Sequence, residues 1–396
     1  MAHSDTQRFD IVINGGGIVG LTLAARLAGR TDYRIAVLDA DAAPSMPDDA
    51  LTLRTTSLNA ASLTMLEQAG VMDHLPARFM TDFDHIEAGS RDNPAALAFS
   101  AEEIDRERFG VFVENDRLRT ALWQRLAECE RISLIEESAI AELERDEQRV
   151  RAELENGRQL EAALIVGADG ARSRLRHLAG IASHQRDYAQ EALAVNVRLS
   201  ESPGHTSWQV FTSSGPLALL PLHERQASLI WYDSPTQTRR RAALDDDALI
   251  HAIEDAFPER LGGVEAIIGR GHFPIRRLHA CRYVDQRLAL IGDAAHVIHP
   301  LAGQGVNLGM QDARVLADEI ENADAPGDSN ALNRYQRRQR PRNGAMLLAV
   351  EQLHYLYTRA PAPLRELAER GLAGANHFTH AKRLLMSIAS GESPRR

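Results

Sequence analysis

The feature that most constrains this chain lies near its start. A β-branched run, residues 9–13, breaks at Asn14-Gly15-Gly16-Gly17-Ile18-Val19-Gly20, and apolar residues then continue at helical spacing over residues 21–27. Glycines therefore stand at the G-x-G-x-x-G positions between a strand and a helix. Gly15 permits a tight turn, Gly17 lets a pyrophosphate approach the backbone, and Gly20 lets helix and strand pack closely. An anion would sit on the helix N-terminus, where free N–H groups and the dipole favour negative charge. A second strand over residues 34–39 ends on Asp39, which has the spacing to bind an adenosine ribose hydroxyl. This βαβ opening predicts a doubly wound dinucleotide-binding fold, without separating FAD from NAD.

Composition narrows the class. With 396 residues the chain suits two interleaved domains, and 44% hydrophobic with 25% charged residues is ordinary globular usage. A formal net charge of -10 argues against a general nucleic-acid binder. Two cysteines, Cys129 and Cys281, provide neither a disulfide framework nor zinc spacing, which favours a reduced, cytoplasmic setting. Residues 11–28 are apolar, but no basic segment precedes them and Gly, Asn, Thr and Arg interrupt them, so a signal peptide is not expected. No run approaches the roughly 20 apolar residues that span a bilayer, so any membrane contact is expected to be peripheral.

Further along, residues 150–154 and 159–166 flank Asn156-Gly157 and read as two strands of an inserted β-meander. Residues 193–199, 207–211, 217–220 and 227–232 alternate as short strands, predicting a mainly β second domain inserted into the first. A strand at 288–291 then leads through a glycine-rich loop into a helix over 307–320. Beyond Ala325-Pro326-Gly327 the chain reads as helical, with Met346, Leu347, Val350, Leu353 and Tyr357 on one face covering a core. The expected division is a dinucleotide-binding domain of residues 1–80, 111–182 and 283–330, a substrate domain of 81–110 and 183–282, and a C-terminal helical region of 331–396.

Two later motifs point to the cofactor. In Gly292-Asp293-Ala294-Ala295-His296 a strand ends on a carboxylate suited to a polyol such as the ribityl chain of FAD. Pro300-Leu301-Ala302-Gly303-Gln304-Gly305-Val306-Asn307 then brings bare backbone to a helix start, where the dipole would stabilise negative charge on a reduced flavin ring. The bland alternative is a simple turn with Asp293 as a helix cap. The third motif, Asp169-Gly170 followed by Arg172, Arg174 and Arg176, offers a carboxylate, a turn and cations for phosphates and a nicotinamide donor. It also reads as a plain turn and solvated helix face. Arg54 is a candidate contact to the flavin or its pyrophosphate, or else a surface ion pair.

Together these elements resemble the flavin-dependent aromatic hydroxylases over almost the whole chain. Val113-Glu114-Asn115, Trp208-Gln209, the segments 215–222 and 231–235, and residues 292–310 resemble the ubiquinone-biosynthesis branch. The segments 231–235 and 257–262 are most similar to the bacterial demethoxyubiquinol hydroxylases of that branch. The resemblance implies an α/β FAD-binding domain of Rossmann-like type, a mainly β substrate domain and C-terminal helices. It implies that NAD(P)H reduces FAD, O2 adds to give a flavin hydroperoxide, and its distal oxygen passes to a polyprenylated quinol ring. Gly15, Gly17, Gly20 and Asp39 would hold the ADP half, and Arg54 and Asp293 the middle. Pro300, Gly303, Gln304, Gly305, Val306 and Asn307 would face the flavin ring, with Asp169 and Gly170 shared between FAD and NAD(P)H. Two departures stand out: Asp39 replaces the commoner glutamate, and Asn14 stands where valine is usual.

No acid, base or nucleophile is singled out, since a quinol is already activated toward electrophilic oxygen. His296 is a candidate, with a structural hydrogen bond as its alternative, and Trp208 and Gln209 are candidate pocket residues, with the core as theirs. Tyr188, His223 and Trp231 are weaker pocket candidates. A polyprenyl tail would need a membrane or partner protein for access, and residues 381–386 offer a basic, apolar contact surface or a helix packed on its own protein. A ubiquinone-biosynthesis complex is the expected partner. Other readings stay open: hydroxylation of a 2-polyprenylphenol or 2-polyprenyl-6-methoxyphenol, a non-oxygenating flavin reductase or dehydrogenase, and a non-catalytic flavin-binding scaffold.

Overall fold

The computed structural model describes residues 6–91, 93, 97–358 and 360. Residues 381–386, and most of the C-terminal region after α8, lie outside them. Eight α-helices are present among the described residues: α1 (Ile18–Ala28), α2 (Ala60–Gln68), α3 (Asn115–Ala127), α4 (Arg174–Leu178), α5 (Pro235–Ala242), α6 (Asp246–Ala256), α7 (Gly305–Glu321) and α8 (Ser329–Thr358).

Strand Gln7–Asn14 lies at the centre of a parallel sheet, flanked by Gln159–Gly167 and Ile35–Leu38; Leu288–Leu290 and Ile132–Ile135 extend it on either side. All four residues of Ile35–Leu38 are buried, as a parallel strand covered on both faces requires. The predicted meander is real: Ile140–Arg145, Val150–Leu154 and Gln159–Gly167 pair antiparallel, with Gly157 at φ +80° in its turn.

The second sheet runs His296–Val297, Val264–Ala280, Ser183–Leu199, Gln226–Asp233, Gly215–Pro221, Thr206–Thr212, His85–Ser90 and Leu97–Ser100. Its alternating residues Leu193, Val195, Trp208, Val210 and Leu229 pack under Leu249, Ile253 and Phe257 from α6 and the turn after it. The sequence reading contained neither α5 nor α6. Both are polar on most of their surface, and Asp245 and Ser234 cap them.

The division between the two parts is less clean than expected. Thr81–Phe83, assigned above to the substrate part, pairs with Gly110–Glu114, while His296–Val297 leaves the first part to pair with Leu278 and His279. As expected, α8 covers a core: Met346, Leu347, Val350 and Leu353 meet Phe211, Leu301 and Leu308. The Tyr357 side chain lies outside the described residues.

Candidate functional site

Four loops converge at the carboxyl edge of the parallel sheet, the edge at which open α/β sheets bind ligands. They follow Gln7–Asn14 at Gly15, Ile35–Leu38 at Asp39, Gln159–Gly167 at Asp169 and Leu288–Leu290 at Asp293. Backbone bonds lock them together: Gly15 N donates to Leu38 O at 2.9 Å, Ala168 N to Asn14 O at 2.8 Å, and Ile291 N to Gly167 O at 2.9 Å.

The glycines divide by cause. A Cβ on Gly15 would come within 2.3 Å of Ala168 O, and one on Gly20 within 2.0 Å of Gly15 O, so the protein's own packing demands both. A Cβ on Gly17 would meet no protein atom within 4 Å, and its φ of −81° suits any residue. Close packing therefore leaves Gly17 unexplained, and a bound group passing over it explains it. Gly305 repeats the pattern, with only Ile298 Cγ2 at 3.9 Å.

These two glycines mark two helix N-termini that lack a side-chain cap, those of α1 and α7. The helices run parallel. Val19 packs under Gly309 and Gly292 near one end, and Arg26 donates to Asp318 at 2.6 Å near the other. Two bare, positive N-termini thus lie side by side on the same cleft, an arrangement that suits a dinucleotide's phosphates at one and an electron-rich ring at the other.

Asp293 projects into that cleft. Its side chain is exposed and accepts no protein hydrogen bond among the described residues, which removes the reading of Asp293 as a helix cap. Crowding by protein on its other sides raises the carboxyl pKa, opposed by His296 and Arg54. Arg54 is also exposed and forms no ion pair among the described residues. Its backbone is set by Asn115 N, which donates to Arg54 O at 2.8 Å. The neighbouring Glu114 accepts from Thr52 N at 2.5 Å and from Arg117 Nε at 2.6 Å. Arg117 in turn donates to Pro47 O and Ala50 O. Val113-Glu114-Asn115 therefore staples the strap that presents Arg54.

Sequence reasoning missed Arg119. Its Nε donates to Gly16 O at 2.9 Å, and it pairs with Asp39 at 3.1 Å, fixing the carboxylate beside the glycine turn. The arginines after Gly170 are mostly spent. Arg174 pairs with Glu155 and buried Arg176 donates to Ala294 O at 2.8 Å, which leaves exposed Arg172 without a partner among the described residues. Asp169 accepts from Asn14 and Leu175, while its Oδ1 is buried and unpartnered. Asn307 is occupied as well: Oδ1 accepts from Asn59 N and Ser62 Oγ, and Nδ2 donates to Ser57 O. Its side chain clamps α7 to α2, and only its backbone remains for a ligand. The clamp partners were legible only as a polar residue in a helix's first turn.

His296 is 2% exposed and pairs with Asp312 at 2.5 Å. Asp312 also accepts from Gly292 N at 3.1 Å and Asn343 Nδ2 at 2.9 Å. His296 thus steadies the Asp293 turn from below, as its structural alternative held. Trp208 is 5% exposed in the core under α6, with Arg260 over its ring. Gln209, its neighbour, points to the opposite face, half-buried and without a protein hydrogen bond among the described residues. Trp231 packs with Phe257 in the same core as Trp208, and His223 rests on Phe79.

Gln209 belongs to one rank across six strands: Gly271, Ala194, Ile230, Ala218, Gln209 and Ala88 are successive register partners. Small residues dominate this rank, and Gln209 is its one polar side chain. The strap borders it on one side, where Asn196 Nδ2 donates to Thr52 O at 2.8 Å and Leu53 lies on Gly271. The Pro300 loop borders it on the other, through Leu301 against Phe211.

The residues present suit FAD: two uncapped N-termini over open glycines, an unpartnered carboxylate between them and an unpartnered arginine beside it. Comparison with known proteins agrees. A family model described as FAD binding domain matches residues 8–349. The chain is 37% identical to the 3-demethoxyubiquinol 3-hydroxylase of Escherichia coli (strain K12), over 97% of this chain and 99% of that one. It is 32% identical to the ubiquinone hydroxylase UbiL of Rhodospirillum rubrum, covering 96% and 89% of the two chains. The fold is similar to that of p-nitrophenol 4-monooxygenase PnpA from Pseudomonas putida DLL-E4, with a TM-score of 0.81 at 17% identity, covering 99% and 100%.

Proposed function

The chain belongs to the FAD binding domain family and is an FAD-dependent monooxygenase, and from that premise we propose that it hydroxylates the ring of demethoxyubiquinol, using O2 and NAD(P)H. The likeness over nearly full length to a 3-demethoxyubiquinol 3-hydroxylase carries the choice of substrate. Bound FAD supplies an electrophilic oxygen atom from O2, with NAD(P)H as the source of the two electrons that reduce the second oxygen atom to water.

The chain's own residues bind, orient and exclude water. In this reading Gly15, Gly17 and Gly20 with the α1 N-terminus hold the pyrophosphate, and Asp39, steadied by Arg119, takes the adenosine ribose. Asp293 accepts from the ribityl chain and Arg54 supplies positive charge beside it. Pro300, Gly303, Gln304, Gly305, Val306 and Asn307 give the ring edge backbone contacts and the α7 dipole, which stabilises negative charge on the reduced ring. Asp169, Gly170 and Arg172 border the approach of the nicotinamide donor.

The quinol ring lies on the rank from Gly271 to Ala88, where small side chains leave room for a flat ring and Gln209 hydrogen-bonds a ring hydroxyl. No general base is required of the protein, because the quinol hydroxyls already donate electrons to the ring. A polyprenyl tail requires delivery from a membrane surface or a partner of the same biosynthetic assembly, so the protein works at a peripheral contact. No helix among the described residues is long and apolar enough to cross a membrane.

Mass spectrometry of quinone extracts tests the reading in a strain that lacks this gene and has no redundant hydroxylase. Demethoxyubiquinone should accumulate, and the wild-type gene but not Asp293→Ala should clear it. Normal ubiquinone content would overturn the pathway, and an earlier unhydroxylated intermediate would reassign the ring position.

A further inference from the structure

The residue before the Pro300 loop has a part in the site that no motif assigns. His299 is 2% exposed, and its Nδ1 accepts from Leu301 N at 3.3 Å, capping the single turn Pro300–Ala302. That turn ends at Gly303 (φ +59°), whose carbonyl accepts from Ser57 Oγ at 3.1 Å, and α7 begins two residues later. The imidazole is walled by rings from three other elements. Tyr232 stacks on it with centroids 5.6 Å apart, Tyr188 meets it edge-on at 5.1 Å, and His354 of α8 lies 4.9 Å away. The other ring nitrogen, Nε2, is buried without a hydrogen-bond partner.

We propose that His299 is a positioning residue for oxygen transfer: as a neutral acceptor it holds the Pro300–Gly303 turn at the flavin edge, and the Tyr188–Tyr232–His354 cage fixes it there. The inference rests on the proposed placement of FAD along the α7 N-terminus. Only a neutral imidazole can accept at Nδ1, because both nitrogens of the protonated ring are donors. Burial, with the neighbouring charge of His354, pushes the His299 pKa down to about 3, so the acceptor persists at any working pH. The cage belongs to the substrate sheet and to α8, through Tyr188 and Tyr232 on Ser183–Leu199 and Gln226–Asp233 and through His354. A side chain one position outside the loop therefore transmits the placement of those elements to the backbone that faces the ring.

Two nearly isosteric variants isolate the acceptor. His299→Asn keeps an oxygen that can accept from the amide two residues on, and His299→Leu has the same bulk and none. Hydrogen exchange of the 298–305 peptide is read in the apoprotein; the flavin midpoint potential and the fraction of NAD(P)H oxidised without product are read in the holoenzyme. In His299→Leu, exchange should quicken roughly tenfold, the equivalent of one lost cap, with a shifted potential and more uncoupled turnover. His299→Asn should restore all three to within about twofold of wild type. A third variant, His299→Phe, keeps the ring stack without the acceptor, should behave as His299→Leu does, and serves if His299→Leu fails to fold. If Asn does no better than Leu or Phe, the acceptor role is overturned, as it is if His299→Phe retains wild-type values. FAD binding by wild type, with its loss in Asp293→Ala, tests the underlying placement separately.

Discussion

Asn14 Nδ2 donates to Asp169 Oδ2 at 3.0 Å, joining the first glycine turn to a turn 155 residues away in the chain. Asp169 Oδ2 accepts again from Leu175 N at 3.0 Å, so one oxygen ties the end of the first strand to the start of α4. The asparagine that departs from the usual valine is thus the partner of the carboxylate. A double-mutant cycle of Asn14→Val and Asp169→Ala should show a coupling of about 1 kcal/mol in urea denaturation. Additive losses would mean that the contact contributes nothing.

The glycine turn predicts opposite results at two neighbouring positions. Gly17→Ala meets no protein atom, so the apoprotein should keep its Tm while FAD affinity falls at least tenfold. Gly20→Ala, with a backbone oxygen 2.0 Å from the new carbon, should fail to fold or lose most of its stability. Equal loss of Tm in the two variants would count against an open cradle at Gly17.

Asp293→Ala should likewise leave the apoprotein's melting temperature within a degree or two, because the carboxylate makes no protein hydrogen bond among the described residues. FAD titration by fluorescence should weaken by roughly a hundredfold, the equivalent of a lost charged hydrogen bond in a sheltered cleft. A stability loss with unchanged FAD affinity would return Asp293 to a structural part.

Adjacent residues in one strand should separate cleanly. Trp208→Ala opens the core under α6 and should cost about 3 kcal/mol or more of stability. Gln209→Leu should leave stability within about 1 kcal/mol, while KM for the quinol rises and FAD affinity does not change. Steady-state kinetics beside thermal melts would expose a reversal of these assignments.

The buried pair below Asp293 predicts a pH dependence. Burial lowers the pKa of His296, but the charge and hydrogen bond of Asp312, with Asp293 adding to them, raise it above the ordinary 6.5. With the folded value raised, the stabilisation is fully present below about pH 6.5 and is lost as pH rises through the higher folded value. The stability difference between wild type and His296→Gln should therefore shrink as pH rises above about 6.5. A difference that is flat with pH would show that folding does not raise the pKa of His296.

Features whose cause is local were legible in the sequence. The strand, glycine turn and helix at Gly15 to Gly20 follow from backbone freedom and hydrophobic period, and the meander from alternation around Asn156-Gly157. The identity of FAD was legible as well, because the second glycine loop and Asp293 sit at a strand end and a helix start that the sequence marks. The polar helices α5 and α6 carry too narrow an apolar stripe to announce themselves among short strands. Which face of a strand meets the cleft was decided only in three dimensions. Trp208 and Gln209 alternate in any extended chain, and it took the covering of one sheet face by α6 to make the first core and leave the second half-buried on the opposite face. The same holds for Arg119 on Asp39, Asp312 under His296 and Asn14 on Asp169. Each is a hydrogen bond or ion pair between residues whose local sequence does not require the other, and only the packing of distant segments brings them within reach.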